Sequence, residues 1–151
     1  MKPQAKSRLV EIRQCHAGDF DEVLLLLRQL WPDKHLNAKR LKTIFNKALV
    51  CDSKTYLCAT NECRIIGFAS FTLKHNMWPE GYLGYMDELV VDSKYRGERI
   101  GAELLNQLVA LARSKGCCRI ELDCAFHRKR AHRFYKKHRF RSRAFVFSKV
   151  L

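Results

Sequence analysis

Apolar positions along this chain switch between a period of two and a period of three to four, and the switches mark the elements. Leu9-Val10-Glu11-Ile12-Arg13 alternates and predicts a first strand. Asp19 is placed to cap a helix, with Asp21 and Glu22 in its first turn, where acidic groups suit the helix dipole. Val23, Leu24, Leu26, Leu27 and Leu30 form its apolar face, which runs out at Pro32. Asn37 caps a second helix with Leu41, Ile44, Phe45 and Leu49 on one side. Tyr56 to Ala59 and Arg64 to Leu73 read as strands joined by a tight turn about Asn61-Glu62. Residues 76–81 are a loop, and Tyr82 to Val91 is a long central strand. Ile100, Leu104, Leu105, Leu108, Leu111 and Ala112 line a third helix that stops at Gly116. A strand from Arg119 to Cys124, a short helix from Arg128 to His138 and a last strand from Ala144 to Val150 complete the order β-α-α-β-β-β-α-β-α-β. A strand–helix–strand run over 85–124 predicts a parallel crossover. The fold class is therefore α/β, a mixed central sheet with helices on both faces.

Length and composition narrow this further. At 151 residues and 47% hydrophobic content, the chain predicts one domain spanning 1–151 with a real core. No run of 18 apolar residues occurs, so no membrane partner is expected, and the polar start Met1–Lys6 lacks an apolar signal core. The seven cysteines include no Cys-x-x-Cys pair, and Cys117 and Cys118 are adjacent, which is poor geometry for a bridge. Free thiols in a reducing, cytoplasmic setting are the expectation. The net charge of +14 is lopsided: residues 94–151 carry 16 basic and 4 acidic side chains. Such a half attracts polyanions, whether nucleic acid, an acidic protein or the phosphates of a nucleotide cofactor, and a solvated basic surface accounts for it equally well.

The most informative stretch runs from Met86 to Leu105: a strand, a short turn, then a helix whose start holds Gly97 and Gly101. A helix N-terminus presents unpaired N–H groups and partial positive charge, and small residues there let a phosphate approach the backbone. The spacing is neither Gly-x-Gly-x-x-Gly nor Gly-x-x-x-x-Gly-Lys-Ser/Thr. The window Arg96-Gly97-Glu98-Arg99-Ile100-Gly101 instead resembles the acetyl-CoA pyrophosphate loop of the GNAT acetyltransferases, Arg/Gln-x-x-Gly-x-Gly/Ala, with Arg99 in place of the middle glycine. The element order is also the GNAT order. A second segment, Ala131-His-Arg-Phe134-Tyr135-Lys-Lys-His-Arg139-Phe140, is similar to the family's Ala-x-x-Phe-Tyr-x-x-x-Gly-Phe, here with Arg139 replacing the glycine. The family's upstream Asn falls near Arg128, where this chain has no amide.

The resemblance implies an acyltransferase with acetyl-CoA as co-substrate. It implies that the backbone of Leu89, Val90 and Val91 binds the pantetheine arm and acetyl carbonyl. Arg96, Gly97, Glu98, Arg99, Ile100, Gly101 and Ala102 would hold the pyrophosphate, and Arg99 and Arg128 would add charge pairs, although both also read as ordinary surface arginines. Acetyl transfer needs a neutral amine, a stabilised carbonyl oxygen and a protonated leaving thiolate. A free amine with pKa near ~10.4 must first lose its proton. By resemblance Tyr135 points to the CoA sulfur, and a phenol of pKa near ~10 is protonated at neutral pH; taken alone, Phe134-Tyr135 is a core residue beside a rim residue. Asp87 and Glu88 sit where polyamine acetyltransferases place an acidic pair that binds or deprotonates the amine through water. Strict alternation puts them on opposite faces, Asp87 with Leu89 and Val91, Glu88 with Met86 and Val90, an assignment open to change by the bulge that the resemblance implies in this strand.

No metal is expected: His127, His132 and His138 lack the i, i+4 spacing of a helical zinc pair. The acceptor stays open. Glu11 to Gln14, Leu27 to Pro32 and His35 resemble the opening of aminoglycoside 6′-N-acetyltransferases, yet a +14 protein repels a polycation unless the pocket is locally acidic. A peptide or protein amine is the second possibility and a small polyamine or amino-sugar amine the third, and a homodimer is implied by resemblance. Outside enzymes, an acetyl-CoA-sensing module or a basic nucleic-acid-associated protein remains, the latter disfavoured because basic residues and exposed aromatics do not interleave.

Overall fold

The computed structural model describes residues 9–151; the polar segment Met1–Lys6 lies outside them. The chain forms two compact units, one running up to Glu121 and one from Leu122 to Leu151.

The first unit is built on a five-stranded sheet in the order β1-β2-β3-β4-β5, with β1 Val10–Gln14, β2 Lys54–Asn61, β3 Arg64–Asn76, β4 Gly81–Val91 and β5 Cys117–Glu121. The first four strands pair antiparallel and β5 joins β4 in parallel, because a helix, α3 (Ile100–Ser114), carries the chain across. That is the crossover the sequence predicts. The β2–β3 connection is a two-residue turn of Glu62 and Cys63, one position later than expected. Both have positive φ, at 48° and 67°, as a turn matching the twist of a hairpin requires.

Helices α1 (Phe20–Leu30) and α2 (Ala38–Leu49) cover one face of the sheet. Phe20, Val23, Leu24, Leu26 and Leu27 pack with Phe45, Cys58, Phe68 and Val90 there. Asn37 caps α2 by accepting from Arg40 N–H at 2.9 Å. Asp19 does not cap α1 as expected. Its carboxylate instead accepts from both Arg13 guanidinium nitrogens, at 2.8 and 2.9 Å, and from His16 N–H. A charged bidentate partner on β1 outcompetes the helix N–H groups. Helix α3 lies on the opposite face, where Gly67 and Gly84 let side chains approach: a Cβ at 84 would stand 2.6 Å from the Phe71 ring, and one at 67 would stand 2.9 Å from Leu104.

The second unit contains α4 (Lys129–Lys137). The strand expected at Ala144–Val150 is not formed: these residues have no regular structure, and Phe147 is 93% exposed. Alternation marks a segment that can extend, but a strand exists only where a neighbour supplies the ladder, and none does so among the described residues. The preceding strand, expected over 119–124, runs Cys117–Glu121.

Candidate active site

Strand β4 departs from regular pairing where the chemistry was expected. Phe71 on β3 faces Met86 and Ala69 faces Leu89, so Ser70 alone stands against two residues, Asp87 and Glu88. This is the expected bulge, and it overturns the strict alternation. Thr72, two residues from Ser70 on the same face of β3, donates to Asp87 Oδ2, and Ser70 donates to Glu88 Oε2. Both carboxylates therefore reach the face that α1 and α2 cover. Val90, opposite Phe68, shares that face, whereas Met86, Leu89 and Val91 fall on the other.

Sequence reasoning missed the supporting residues. A bulge takes one N–H out of the ladder, and Ser70 Oγ accepts it from Glu88 N at 2.9 Å while donating to the same residue's carboxylate. The small ring so formed pins Glu88, and Ser70 is 0% exposed. Lys54 Nζ donates to Thr72 Oγ1 at 2.6 Å and lies 3.8 Å from Asp87 Oδ2. The side chains of Lys54 and Asp87 are 35% and 30% exposed, so this ion pair is wet and exchangeable. Tyr56, paired with Ser70 across β2 and β3, packs against Phe45 and Phe68, with ring centroids 5.4 Å away in each case. Burial, then the charges of Glu88 and Asp87, push its phenol up to about 12. The available signal was Ser70 and Thr72, polar residues spaced by two in an otherwise apolar strand.

The edge of β4 that faces β5 is open beyond Tyr85. β5 pairs only from Tyr82 to Tyr85, so on that side Leu89, Val90 and Val91 have no ladder partner among the described residues. Backbone groups left this way seek hydrogen bonds from elsewhere. The turn that follows is anchored by Arg96 Nε, which donates to the Val91 carbonyl at 3.2 Å, and by Asp92, which accepts from Lys94 N–H.

Gly97 then takes φ +86° and Arg99, the N-cap of α3, takes φ +66°. A Cβ built on Gly97 meets nothing within 4 Å, so the backbone there is open to a ligand. Arg99 O receives the first helical bond, from Glu103 N, at 3.0 Å. By helix geometry the N–H groups of Ile100, Gly101 and Ala102 have no partner within the helix. Left-handed residues ahead of a helix start turn successive N–H groups toward one point, the geometry that cradles phosphates. The residues present thus fit a pyrophosphate. Glu98 is exposed in the same turn, and Ile100 turns its side chain into the core, so its contribution is backbone.

In the second unit Arg128 precedes α4 and Tyr135 lies in its last turns. Burial, then Cys124 and Asp123, push the Tyr135 phenol up to about 12, against the lowering effect of Arg128. The helix closes with Arg139 N–H on Lys136 O and Phe140 N–H on Tyr135 O, each 3.0 Å, and with Phe140 packed on Tyr135 at 5.8 Å. Such a close needs a left-handed residue, and Arg139 supplies it at φ +66°. Both arginines that stand where the family motifs have glycine thus take the left-handed conformation that glycine adopts most readily.

Comparison with known proteins gives the same reading. The model of the acetyltransferase (GNAT) family matches residues 20–140. Aminoalkylphosphonate N-acetyltransferase of Salmonella typhimurium is 28% identical over 141 residues, covering 93% of this chain and 91% of that protein. Glucosamine 6-phosphate N-acetyltransferase of Trypanosoma brucei brucei is 30% identical over 135 residues, covering 88% and 90%. The crystal structure of a Trypanosoma brucei acetyltransferase superposes with a TM-score of 0.79 at 27% identity, over 95% of this chain and all of that one. The family model spans most of the chain, and the bulged strand, open edge and left-handed turn described above lie within it; the chain belongs to the GNAT acetyltransferase family.

Proposed function

We propose that residues 1–151 work as one transferase domain that moves an acetyl group from acetyl-CoA directly to a primary amine, with both substrates bound together. The observation that carries this is the bulge at Asp87–Glu88, which turns two carboxylates to one face. Two carboxylates attract an ammonium, and water ordered between them and the amine carries its proton away. The neutral amine then attacks the acetyl carbonyl. The open backbone of Leu89 to Val91 binds the thioester arm, and the turn from Arg96 to Ala102 holds the pyrophosphate, with Arg99 and Arg128 adding charge. As the carbon–sulfur bond breaks, the thiolate takes a proton from Tyr135. A phenol held up at about 12 still carries that proton at any physiological pH.

For the acceptor, we propose a small primary amine that also bears a phosphate or phosphonate. Aminoalkylphosphonates and glucosamine 6-phosphate, named for two relatives, both combine an amine with a phosphorus oxyanion. The net charge of +14 favours such acceptors over polycations such as aminoglycosides or polyamines, and over basic peptides. The test is thiol release from acetyl-CoA with 2-aminoethylphosphonate, glucosamine 6-phosphate, spermidine, an aminoglycoside and a lysine peptide, each at two salt concentrations. Turnover on the phosphorylated amines, falling as salt rises, supports the reading. Turnover confined to spermidine or the aminoglycoside overturns the acceptor class, and no turnover on any amine overturns direct transfer to small amines.

A further inference from the structure

On the same face but toward the β1 edge of the sheet, the end of β1 and the middle of β2 bring together two thiols. Arg13 stands directly opposite Cys58, and the ladder continues one residue past β1, with Cys15 N–H on Tyr56 O at 2.9 Å. Alternation then puts Cys15 and Cys58 on one face as diagonal neighbours. Their sulfurs and an Asp19 carboxylate oxygen all lie within 4.8 Å of one another. All seven cysteines are free thiols here. Two thiols and a carboxylate at this range also suit a metal ion, but both Asp19 oxygens are held by the Arg13 guanidinium, at 2.8 and 2.9 Å, and that cation repels another. The same cation favours a thiolate opposite it.

We infer that Cys15 and Cys58 are a redox pair that a small peroxide converts to a disulfide joining β1 to β2. The S–H of Cys15 lowers the Cys58 thiol, helped by the charge of Arg13 and opposed by burial, whereas the hydrogen bond with the Cys58 sulfur, then burial, raise Cys15. Because the Arg13 guanidinium stands directly opposite Cys58, Cys58 takes the nucleophile's role and Cys15 the resolving one. The Cys58 thiolate attacks one peroxide oxygen, giving a sulfenic acid and one water. Cys15 then attacks the sulfenic sulfur, forming the S–S bond and expelling a second water. Two thiols are oxidised, one peroxide is reduced, and both thiol protons leave in water.

Access accords with the size of the oxidant. Cys58 is 0% exposed, but Cys15 lines a pocket of about 280 Å³ that also touches Gln14, Lys54 and Tyr56, and peroxide is little larger than water. Diagonal neighbours on paired strands stand roughly 7–8 Å apart at Cα, just beyond the usual disulfide span of about 4.4–6.8 Å. Cys15 lies one residue past the last β1 position, held by its backbone bond to Tyr56 O, so closing the bridge requires a shift of about an ångström there. A bond made at that limit is easily reduced, which suits a reversible switch.

The test treats the reduced full-length protein with graded hydrogen peroxide, blocks remaining thiols, and maps linked peptides by mass spectrometry. The expected result is early loss of two thiols, a fall of about 2 Da in intact mass, one crosslink between the Cys15 and Cys58 peptides, and full recovery with dithiothreitol. Cys58→Ser should abolish the crosslink and slow oxidation of Cys15 at least tenfold. If that variant does not fold, Cys15→Ser should leave Cys58 trapped as sulfenic acid, detectable with dimedone. Exposed Cys51, whose thiol is lowered mainly by Ser53, is the natural competitor. Oxidation of Cys51 while Cys15 and Cys58 stay reduced overturns the inference. So does stoichiometric zinc in the purified protein that disappears in either variant.

Discussion

Arg99→Gly is the substitution whose outcome the backbone decides most directly. Arg99 takes φ +66° at the start of α3, its side chain makes no cap hydrogen bond, and the residue is exposed. An L-residue in the left-handed region costs about 1–2 kcal/mol relative to the right-handed one. Glycine escapes that cost but loses more chain entropy on folding, about 0.5–1 kcal/mol. The net gain expected is about 0.5–1 kcal/mol, or roughly 1–4 °C in Tm for a chain of this size. Urea unfolding with an unchanged m-value is the assay, and Arg99→Ala is the control, because alanine pays the same left-handed cost and should sit within about 0.5 kcal/mol of wild type. Titration with acetyl-CoA separates conformation from charge. If Arg99 pairs with a phosphate, both variants weaken binding by about 1–2 kcal/mol, roughly tenfold, even as the glycine variant becomes more stable. A glycine variant less stable than wild type, with the alanine variant unchanged, would refute the reasoning, since the left-handed cost would then not exist.

Arg139→Gly, at φ +66° behind α4, should stabilise by the same ~0.5–1 kcal/mol on the same argument, read by the same unfolding assay. Tyr135→Phe should lower kcat by about 100-fold or more with little change in acetyl-CoA affinity, and an unchanged kcat removes Tyr135 from the chemistry. Tyr135 and Tyr56 are both held up at about 12, so their contribution to stability is whole below pH ~10, where an unfolded tyrosine starts to ionise, and fades as pH rises through 12. Alkaline unfolding monitored between pH 9 and 12 should therefore be shallower in Tyr135→Phe than in wild type. Ser70→Ala removes the group that both holds the Glu88 carboxylate and satisfies the bulge N–H, and should cost about 2–4 kcal/mol in stability; a loss under 0.5 kcal/mol would show that water replaces it freely. Asp87→Asn and Glu88→Gln should raise the KM for the amine about tenfold or more while leaving acetyl-CoA affinity unchanged, and two silent variants would move the acceptor elsewhere.

Much of this fold is legible because it is local. The apolar stripe from Val23 to Leu30, the Asn37 cap and the stop at Gly116 are written in neighbours one turn apart, and the helices appear within a residue or two of where they are expected. The strand–turn–helix at 81–114, with Gly97 and Gly101 at the helix start, is equally readable, since an anion-binding helix start is a local device. Ala144–Val150 shows the opposite case. The apolar run Ala144–Phe147 reads as strand-like as β1 does, but a strand is a relation between two segments, and the last one has no partner among the described residues.

The candidate site divides along the same line. Residue types and their order alone determined that this chain carries an acidic pair just before a phosphate-type turn, followed by a Phe-Tyr helix. The bulge decided what the acidic pair can do. A single unmatched residue in β4 rotates Glu88 onto the face of Asp87, and only the register against Ser70 reveals it, because side-chain parity along a strand is reset wherever pairing slips. Likewise Ser70, Thr72 and Lys54 join the site through hydrogen bonds across β2, β3 and β4, contacts separated by up to 33 positions in sequence, from Lys54 to Asp87. Cys15 and Cys58 are two unremarkable thiols until antiparallel pairing places them on one diagonal. Periodicity and capping are properties of a segment, so the sequence carries them; faces, registers and long-range neighbours are properties of the packed chain, and only the tertiary structure holds those.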